Sequence, residues 1–467
     1  MKIPDKPLEP DAAEIRAMTA RVVELLIEKF EKLDDAPASE NTLSADLLAE
    51  VSRPPPDQPQ EDLGSLLART QRAAAASYET AGPSYLAYIP GGGIFTATLA
   101  EFLASGFNRY TGRATPAPGF VALEQSVLRW MCDIFRFPAG SQGLLTTGGS
   151  VSNLIALATA RTHHAEGRSD LATVYVGEHA HGSLAKAART IGIARDHIRT
   201  VRSTPDLCMD IDHLRSLIEA DREAGLIPAC ICAAAGTTNT GTLDPLDAVA
   251  ALAEELDVWF HVDGAYGGFF QLTERGRERL SGIDRADSIT LDPHKSLFLP
   301  FGTGALVVRS ADTLRHAFTE EADYMQDLGA GGGLPDFDTL SPELTREFRG
   351  LRLWLPLHLH GVDAFRRELN EKLDLTEMAY EALSGDDRFE VPWTPDLTVI
   401  AFRLVGADDA AQLAFLRRIN ASQRVLLSST RIGGTTYLRI AILSFRTHED
   451  RIKELLEIIS RAADELS

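Results

Sequence analysis

Val258-Trp-Phe-His-Val-Asp263-Gly-Ala265-Tyr-Gly-Gly is followed, after an intervening segment, by Ser288-Ile-Thr-Leu-Asp292-Pro-His294-Lys295-Ser-Leu. The first stretch reads as a short buried strand that ends in an acid and then glycines. The second reads as another apolar strand, Ser288 to Leu291, broken by Pro293 so that His294 and Lys295 stand on a turn. Asp263 and Lys295 lie 295 − 263 = 32 residues apart, each at or just past a strand end. In open parallel sheets, pockets form outside the carboxyl ends of the strands, so the two side chains are expected in one pocket. A lysine placed there among apolar residues is biased toward the neutral nucleophile that Schiff-base chemistry needs. A lone acid or lysine at a strand end is more often a cap or a solvated charge, so the pair alone does not decide the chemistry.

Working outward, short apolar strands alternate with helical patterns. Strands are expected at Gly143–Thr147, Ala172–Gly177, Ile198–Arg202, Ala229–Ala234, Val258–Val262, Ser288–Leu291 and Gly304–Val308. Helical spacing fills Val151–Thr162, Ser183–Ile191, Ile211–Ala224 and Pro245–Leu256. This βαβ rhythm predicts a mostly parallel sheet covered on both faces. After a helical span near Leu344–Leu369 the tail turns to strands at Thr398–Leu404, Val425–Ser428 and Leu438–Leu443. Thr447-His-Glu-Asp450 reads as a capping-box start for a last helix with Ile452, Leu455, Leu456 and Ile459 on its apolar face. The expected division is a helical arm over 1–82, a large α/β domain over 83–355 and a small α+β domain over 356–467. In the arm, Ile15, Met18, Val22, Leu26, Phe30 and Leu33 share one helical face. The Arg53-Pro-Pro-Pro-Asp-Gln-Pro connector cannot continue a helix, and a second helical stretch follows at Leu63–Ala76. The arm's apolar face must be buried against a second subunit or against its own.

Three further segments carry polar groups at strand ends. Thr146-Thr-Gly-Gly149-Ser150-Val151-Ser152-Asn153 places small residues at a helix start, where backbone N–H groups and the dipole suit a phosphate. Gly-x-Gly-x-x-Gly is absent, as is any Gly-Lys-Ser/Thr, so neither a dinucleotide fingerprint nor a Walker loop is present. Glu178-His179-Ala-His181-Gly-Ser and Gly236-Thr-Thr238-Asn-Thr-Gly-Thr-Leu-Asp244 follow two other strands. The paired histidines lack companions at zinc-ligand spacing, so no metal site is expected.

The 467 residues exceed one ordinary core, and 44% hydrophobic with 24% charged residues is a globular composition. A net charge of −21 disfavours nucleic acid and anionic membrane surfaces as partners. The N-terminal Met1-Lys-Ile-Pro-Asp-Lys-Pro has no apolar core for a signal peptide. Cys132, Cys208, Cys230 and Cys232 form no Cys-x-x-Cys pair and are expected as free thiols, which points to the cytoplasm.

His-Val-Asp263-Gly-Ala265-Tyr and Asp-Pro-His294-Lys295 resemble the His-Val-Asp-Ala-Ala-Tyr and Asn-Pro-His-Lys motifs of the pyridoxal-phosphate-dependent group II amino-acid decarboxylases. This is the family of the aromatic-L-amino-acid and histidine decarboxylases, and the resemblance runs from about Pro83 to about Phe445. It implies the fold type I (aspartate aminotransferase-like) α/β architecture and an intertwined homodimer. It also implies pyridoxal 5′-phosphate held covalently on Lys295, and conversion of an L-amino acid to its amine through an external aldimine and a quinonoid. By the same resemblance Asp263 pairs with the ring nitrogen, Ala265 and His181 lie on the two ring faces, and Thr238 faces the cofactor. Ser150, Val151, Ser152 and His294 sit at the phosphate. Tyr324, beside the glycine-rich Leu328–Gly333 stretch, matches a mobile-loop tyrosine that protonates Cα, and Tyr88, Pro90, Tyr110 and Arg346 fall on the substrate side. Asp292 and Ser296 depart from the pattern, as do Thr80 and Ile89 at positions the family fills with aromatic rings. An aldehyde synthase, an aminotransferase, another carbon–carbon lyase or a catalytically silent cofactor-binding protein stays open on these residues.

Overall fold

This is a computed structural model, and it describes residues 8–320 and 332–465. Tyr324 and the glycine-rich stretch through Gly331 lie outside the described residues. Seven strands form the large sheet: β1 (Gln142–Thr146), β2 (Ala172–Gly177), β3 (Ile198–Val201), β4 (Ile227–Ala234), β5 (Trp259–Gly264), β6 (Ser288–Leu291) and β7 (Gly304–Val308). Their spatial order is β1-β7-β6-β5-β4-β2-β3. β3, β2, β4, β5 and β6 run parallel, while β7 runs antiparallel to both β6 and β1. Every residue of β1, β4 to β7 except Ile227 is buried. Burial on both faces is why these strands read as continuous apolar runs rather than alternating ones. β7 reverses because only residues 292–303, with one short helix at Pro293–Ser296, join it to β6. A parallel return would need a full crossover.

That reversal positions the site. The carboxyl ends of β1, β2, β4, β5 and β6 share one edge of the sheet, and the amino end of β7 meets them there. Gly304 lies so close to the turn after β1 that a Cβ on it would stand 2.5 Å from Gly148 Cα. Gly148 itself has φ 155, a conformation other residues rarely take.

The second sheet is antiparallel, in the order β10-β11-β9-β8: β8 (Phe389–Glu390), β9 (Val399–Leu404), β10 (Ser428–Ile432) and β11 (Thr435–Ala441). Gly433 and Gly434, both at positive φ, close the β10–β11 hairpin. The helices Val362–Ser384, Asp409–Asn420 and Glu449–Asp464 contribute Leu375, Phe415 and Leu455 to the core over this sheet. The helical span expected near Leu344–Leu369 is two helices, Gly350–His360 and Val362–Ser384, parted at Gly361 with φ 74. The expected capping box at Thr447 does not form. Thr447 Oγ1 donates instead to the Pro83 carbonyl at 2.8 Å, and His448 is the N-cap, without a side-chain bond. The segment 84–86 joins this second sheet rather than the first, through Leu86 N–H to Leu426 O and Ala441 N–H to Leu86 O.

The arm is a 20-residue helix, Ala12–Glu31, then short helices at Ala45–Val51 and Leu63–Ala75. Its carboxyl-terminal half packs on the same chain: Phe30 meets Phe95 edge-on at 5.5 Å and Lys29 pairs with Glu79 at 3.0 Å. Its amino-terminal half leaves Ile15, Met18 and Val22 exposed. No helix among the described residues is long and apolar enough to cross a membrane.

Gly304→Ala should drive its methyl into the Gly148 backbone and Thr146 Oγ1. The expected loss is about 1–3 kcal/mol in urea unfolding, as for overpacked cores, together with weaker binding of a phosphate ligand at the adjoining turn.

Candidate active site

A cavity of about 490 Å³ opens at this edge, and most of the residues singled out in the sequence line it: Tyr88, Ser150, Val151, His181, Thr238, Asp263, Ala265, His294 and Lys295. Another, of about 530 Å³, lies beside His163, His164 and Trp259 and takes in none of them.

Lys295 follows β6 on the short helix begun by Pro293. Its Nζ stands 2.8 Å from Asp292 Oδ2, so the lysine faces a carboxylate rather than the apolar surroundings expected. Asp292 is buried, and its other oxygen, Oδ1, has no hydrogen-bond partner among the described residues. His294 Nδ1 donates to the Thr303 carbonyl at 2.7 Å, which leaves Nε2 3.7 Å from Asp292 Oδ2. The acid noted as a departure is thus the group around which Lys295 and His294 gather. Ser296, the other departure, is fully buried and donates to the Tyr266 carbonyl, tying this turn to the one after β5.

Asp263, the penultimate residue of β5, is 8% exposed and has no ion-pair partner among the described residues. Oδ2 accepts from Asn153 Nδ2 at 3.0 Å and Oδ1 from the Ala265 N–H at 3.2 Å. The helix Gly149–Ala165 starts at the turn after β1 with no side-chain cap, leaving its positive end toward the cavity. A Cβ at Gly149 would stand 3.1 Å from both Ala265 Cβ and Asp292 Oδ2, so the cavity floor is set by the absence of that side chain.

Several expected residues are placed otherwise. Ser152 is buried, its hydroxyl 2.8 Å from Thr146 Oγ1, and the Val151 N–H is donated to Gly148 O at 3.0 Å. Pro90 is buried outside the cavity lining, and the Tyr110 hydroxyl donates to Leu344 O at 3.0 Å. Arg346 does not reach the cavity either. Its guanidinium is wholly buried, pairs with Glu124 Oε1 at 2.6 Å and lies over the Phe337 ring. Burial pushes the Glu124 carboxyl up, and Arg346 opposes that shift. Asp244 is also wholly buried, accepts from the Ala234 and Met209 N–H groups, and is pushed up to about 6 by desolvation.

Sequence reasoning missed Asn153, Ser183, Tyr266 and Arg439, all in the lining. Arg439, on β11, is buried without a carboxylate partner among the described residues. It donates to Asn239 O at 2.7 Å, Thr238 O at 2.8 Å and Ser428 Oγ at 3.1 Å, and burial pushes it below the usual arginine range. Its alternation on a tail strand gave no local sign that this strand faces the cavity.

The profile described as "Pyridoxal-dependent decarboxylase conserved domain" matches residues 50–405. The chain belongs to this pyridoxal-dependent decarboxylase family. It is 30% identical over 469 residues to an aromatic-L-amino-acid decarboxylase of Bacillus atrophaeus, covering 98% of each chain. It is 27% identical to a phenylacetaldehyde synthase of Arabidopsis thaliana, covering 99% of this chain and 98% of the other. A crystal structure of Catharanthus roseus tryptophan decarboxylase in complex with L-tryptophan superposes with a TM-score of 0.91 at 25% identity, over 98% of this chain and 100% of that one. The chain is therefore a carboxy-lyase of fold type I that uses pyridoxal phosphate to decarboxylate an amino acid. The cavity fits that group. It offers a lysine, an acid flanked only by donors, and an uncapped helix start for the phosphate.

Arg346→Met should leave Glu124 as a buried carboxyl without its cation and cost about 3–5 kcal/mol of stability. Adding Glu124→Leu should recover most of that loss, with KM of the folded protein unchanged. A rise in KM of roughly tenfold at undiminished stability would return Arg346 to substrate binding.

Proposed function

We propose that the substrate is an aromatic L-amino acid, released as its amine and carbon dioxide by a homodimer with the cofactor on Lys295. The observation that carries this reading is the convergence of Lys295, Asp263 and the uncapped helix start on one cavity. The aromatic class is supported by the decarboxylases the chain is similar to and by Tyr88, 57% exposed at the cavity wall.

Pyridoxal phosphate, when bound, supplies an electron sink for the pair left behind as carbon dioxide departs. Lys295 Nζ would hold it, and Asp292 Oδ2, 2.8 Å away, orients that amine and can take its proton. The Asp263 carboxylate stabilises positive charge at a nitrogen placed against it. His181, in the cavity lining, would pack against the cofactor ring. Ser150 and the start of its helix would hold the phosphate, and the Arg439 guanidinium offers a cation to a substrate carboxylate. Tyr324 is the proposed proton donor to Cα. The catalytic set is thus Lys295, Asp263, His181 and Tyr324.

The dimer is supported by apolar side chains left exposed on two helices: Ile15, Met18 and Val22 on Ala12–Glu31, and Leu99, Phe102 and Phe107 on Phe95–Phe107. Four free cysteines support a reducing compartment, the cytoplasm.

Incubated with a panel of aromatic, acidic and basic L-amino acids, the cofactor-loaded protein should yield carbon dioxide and one equivalent of amine from the aromatic class. Lys295→Ala should abolish covalent cofactor capture and turnover. Aldehyde with ammonia would place the chain with the aldehyde synthases it also resembles, and keto acid would mean transamination. In sedimentation, Met18→Asp combined with Val22→Asp should shift the dimer to monomer and lower cofactor retention. A wild-type monomer would defeat the dimer reading.

A further inference from the structure

A buried line of hydrogen bonds runs behind Asp263, away from the cavity. Trp259 Nε1 donates to Ser288 Oγ at 2.8 Å, and that oxygen is 2.8 Å from His261 Nδ1. His261 Nε2 is 3.0 Å from Asn153 Oδ1. Asn153 Nδ2 then reaches two acceptors, Asp263 Oδ2 and Ser183 Oγ, each at 3.0 Å. Ser183 Oγ is 2.7 Å from His181 Nδ1, which also accepts the Ser183 N–H at 3.2 Å. Trp259, Ser288, His261 and Asn153 are each 4% exposed or less, so water cannot substitute for any member.

The direction of the line follows from its two ends. An indole N–H can only donate and the Asp263 carboxylate can only accept. Asn153 therefore turns its Nδ2 to Asp263 and its Oδ1 to His261 Nε2, and Ser288 Oγ, accepting from Trp259, gives its own proton to His261 Nδ1. His261 then carries its proton on Nε2 and donates to Asn153 Oδ1. The two amide protons go to Asp263 and to Ser183. Ser183 in turn gives its hydroxyl proton to His181 Nδ1, so His181 also carries its proton on Nε2. In the reverse setting, Asn153 would present its carbonyl to the Asp263 carboxylate, an acceptor against an acceptor.

We infer that Asn153 is a positioning residue whose orientation, held between the Asp263 carboxylate and the Trp259–Ser288–His261 line, keeps a donor on Asp263 and makes Ser183 Oγ the donor to His181 Nδ1. This deepens the proposed reading and rests on it for what Asp263 and His181 do. One amide, on a residue that lines the cavity, is thereby tied to Trp259, His261 and Ser288, which do not. Burial lowers the His261 imidazole well below its usual range, against the raising pulls of Asp263 and of the Ser288 backbone. Asp263 is the charged group facing it, while Cys232 and Ser288 flank it in register on β4 and β6. A neutral His261 with one fixed tautomer is what the line requires.

The test uses the full-length protein labelled with 15N-histidine, first without added cofactor. His261 should show a protonated Nε2 and a bare Nδ1, unchanged from about pH 8 down to about pH 6, across the range where a free histidine titrates. His181 should show the same tautomer at the upper end of that range. An Nδ1–H tautomer at His261, or titration inside that window, overturns the inference. Ser288→Ala and Trp259→Phe each remove a directing donor while retaining most of the packing. In both, His261 should become a mixture of tautomers, while the Ser183 N–H keeps His181 in its Nε2–H form. Ser288→Thr, which keeps the hydroxyl, should restore the wild-type pattern. With 15N-labelled pyridoxal phosphate bound, the protonated ring-nitrogen signal should weaken in Ser288→Ala and Trp259→Phe and return in Ser288→Thr. Folded variants that leave His261 at its wild-type shifts overturn the inference. The tautomer measurement needs no cofactor, so failure of pyridoxal phosphate to bind would count against the proposed function alone.

Discussion

A carboxylate buried at the end of β5 without a paired cation is the constraint on which the site depends. Removing such a group from water costs several kcal/mol unless donors or a cation replace the lost hydration. Asp263 receives two donors from the protein, Asn153 Nδ2 and the Ala265 N–H, and its remaining acceptor capacity faces the cavity. A positively charged ring nitrogen would fill that place. The fold thus holds an incomplete electrostatic arrangement that the family's cofactor would complete, and the sheet keeps it in position. β5 is the central strand of the seven, with the parallel strands β4 and β6 on either side, where its end cannot shift independently.

The same logic explains the reversed β7. A fully parallel sheet would carry Gly304 to the far edge. Running antiparallel, β7 brings its amino end back to the site, where Thr303 O anchors His294 and Gly304 presses on Gly148. The glycine turn after β1 and the lysine-bearing turn are therefore braced by one strand. Asp292 sits between them, close to Gly149 on one side and to Lys295 Nζ on the other. An acid is out of place beside a phosphate but well placed to hold a lysine. Its free oxygen shows that the lysine does not satisfy it alone.

Much of this was legible in the sequence because it is local. Strand ends, the Pro293 break and the glycine turn are each fixed within about ten residues by propensity and turn chemistry. All seven large-sheet strands were anticipated within a residue or two at most ends. What was not legible is set by partners far along the chain. Arg346 resembles a site arginine in its own neighbourhood, and only folding reveals Glu124, 222 residues away, as its captor. Thr447 has the spacing of a capping residue, yet Pro83 claims its hydroxyl across 364 residues. Arg439 sits on an ordinary tail strand, and its place in the cavity depends on how the second sheet docks against Thr238 and Asn239.

Asn153 is the most instructive omission. It was in view, at the end of the glycine turn, but small polar residues at a helix start normally serve the helix, so nothing marked it out. Its partners are His261 on β5, Ser183 on the segment after β2, and Asp263, three residues that lie beside one another only because β2, β4 and β5 are adjacent and parallel. An amide is the side chain suited to that junction, since it accepts on one side and donates twice on the other. Aspartate could not donate there, and a hydroxyl could not reach both acceptors. The choice of asparagine is thus imposed by sheet order rather than by the helix it occupies.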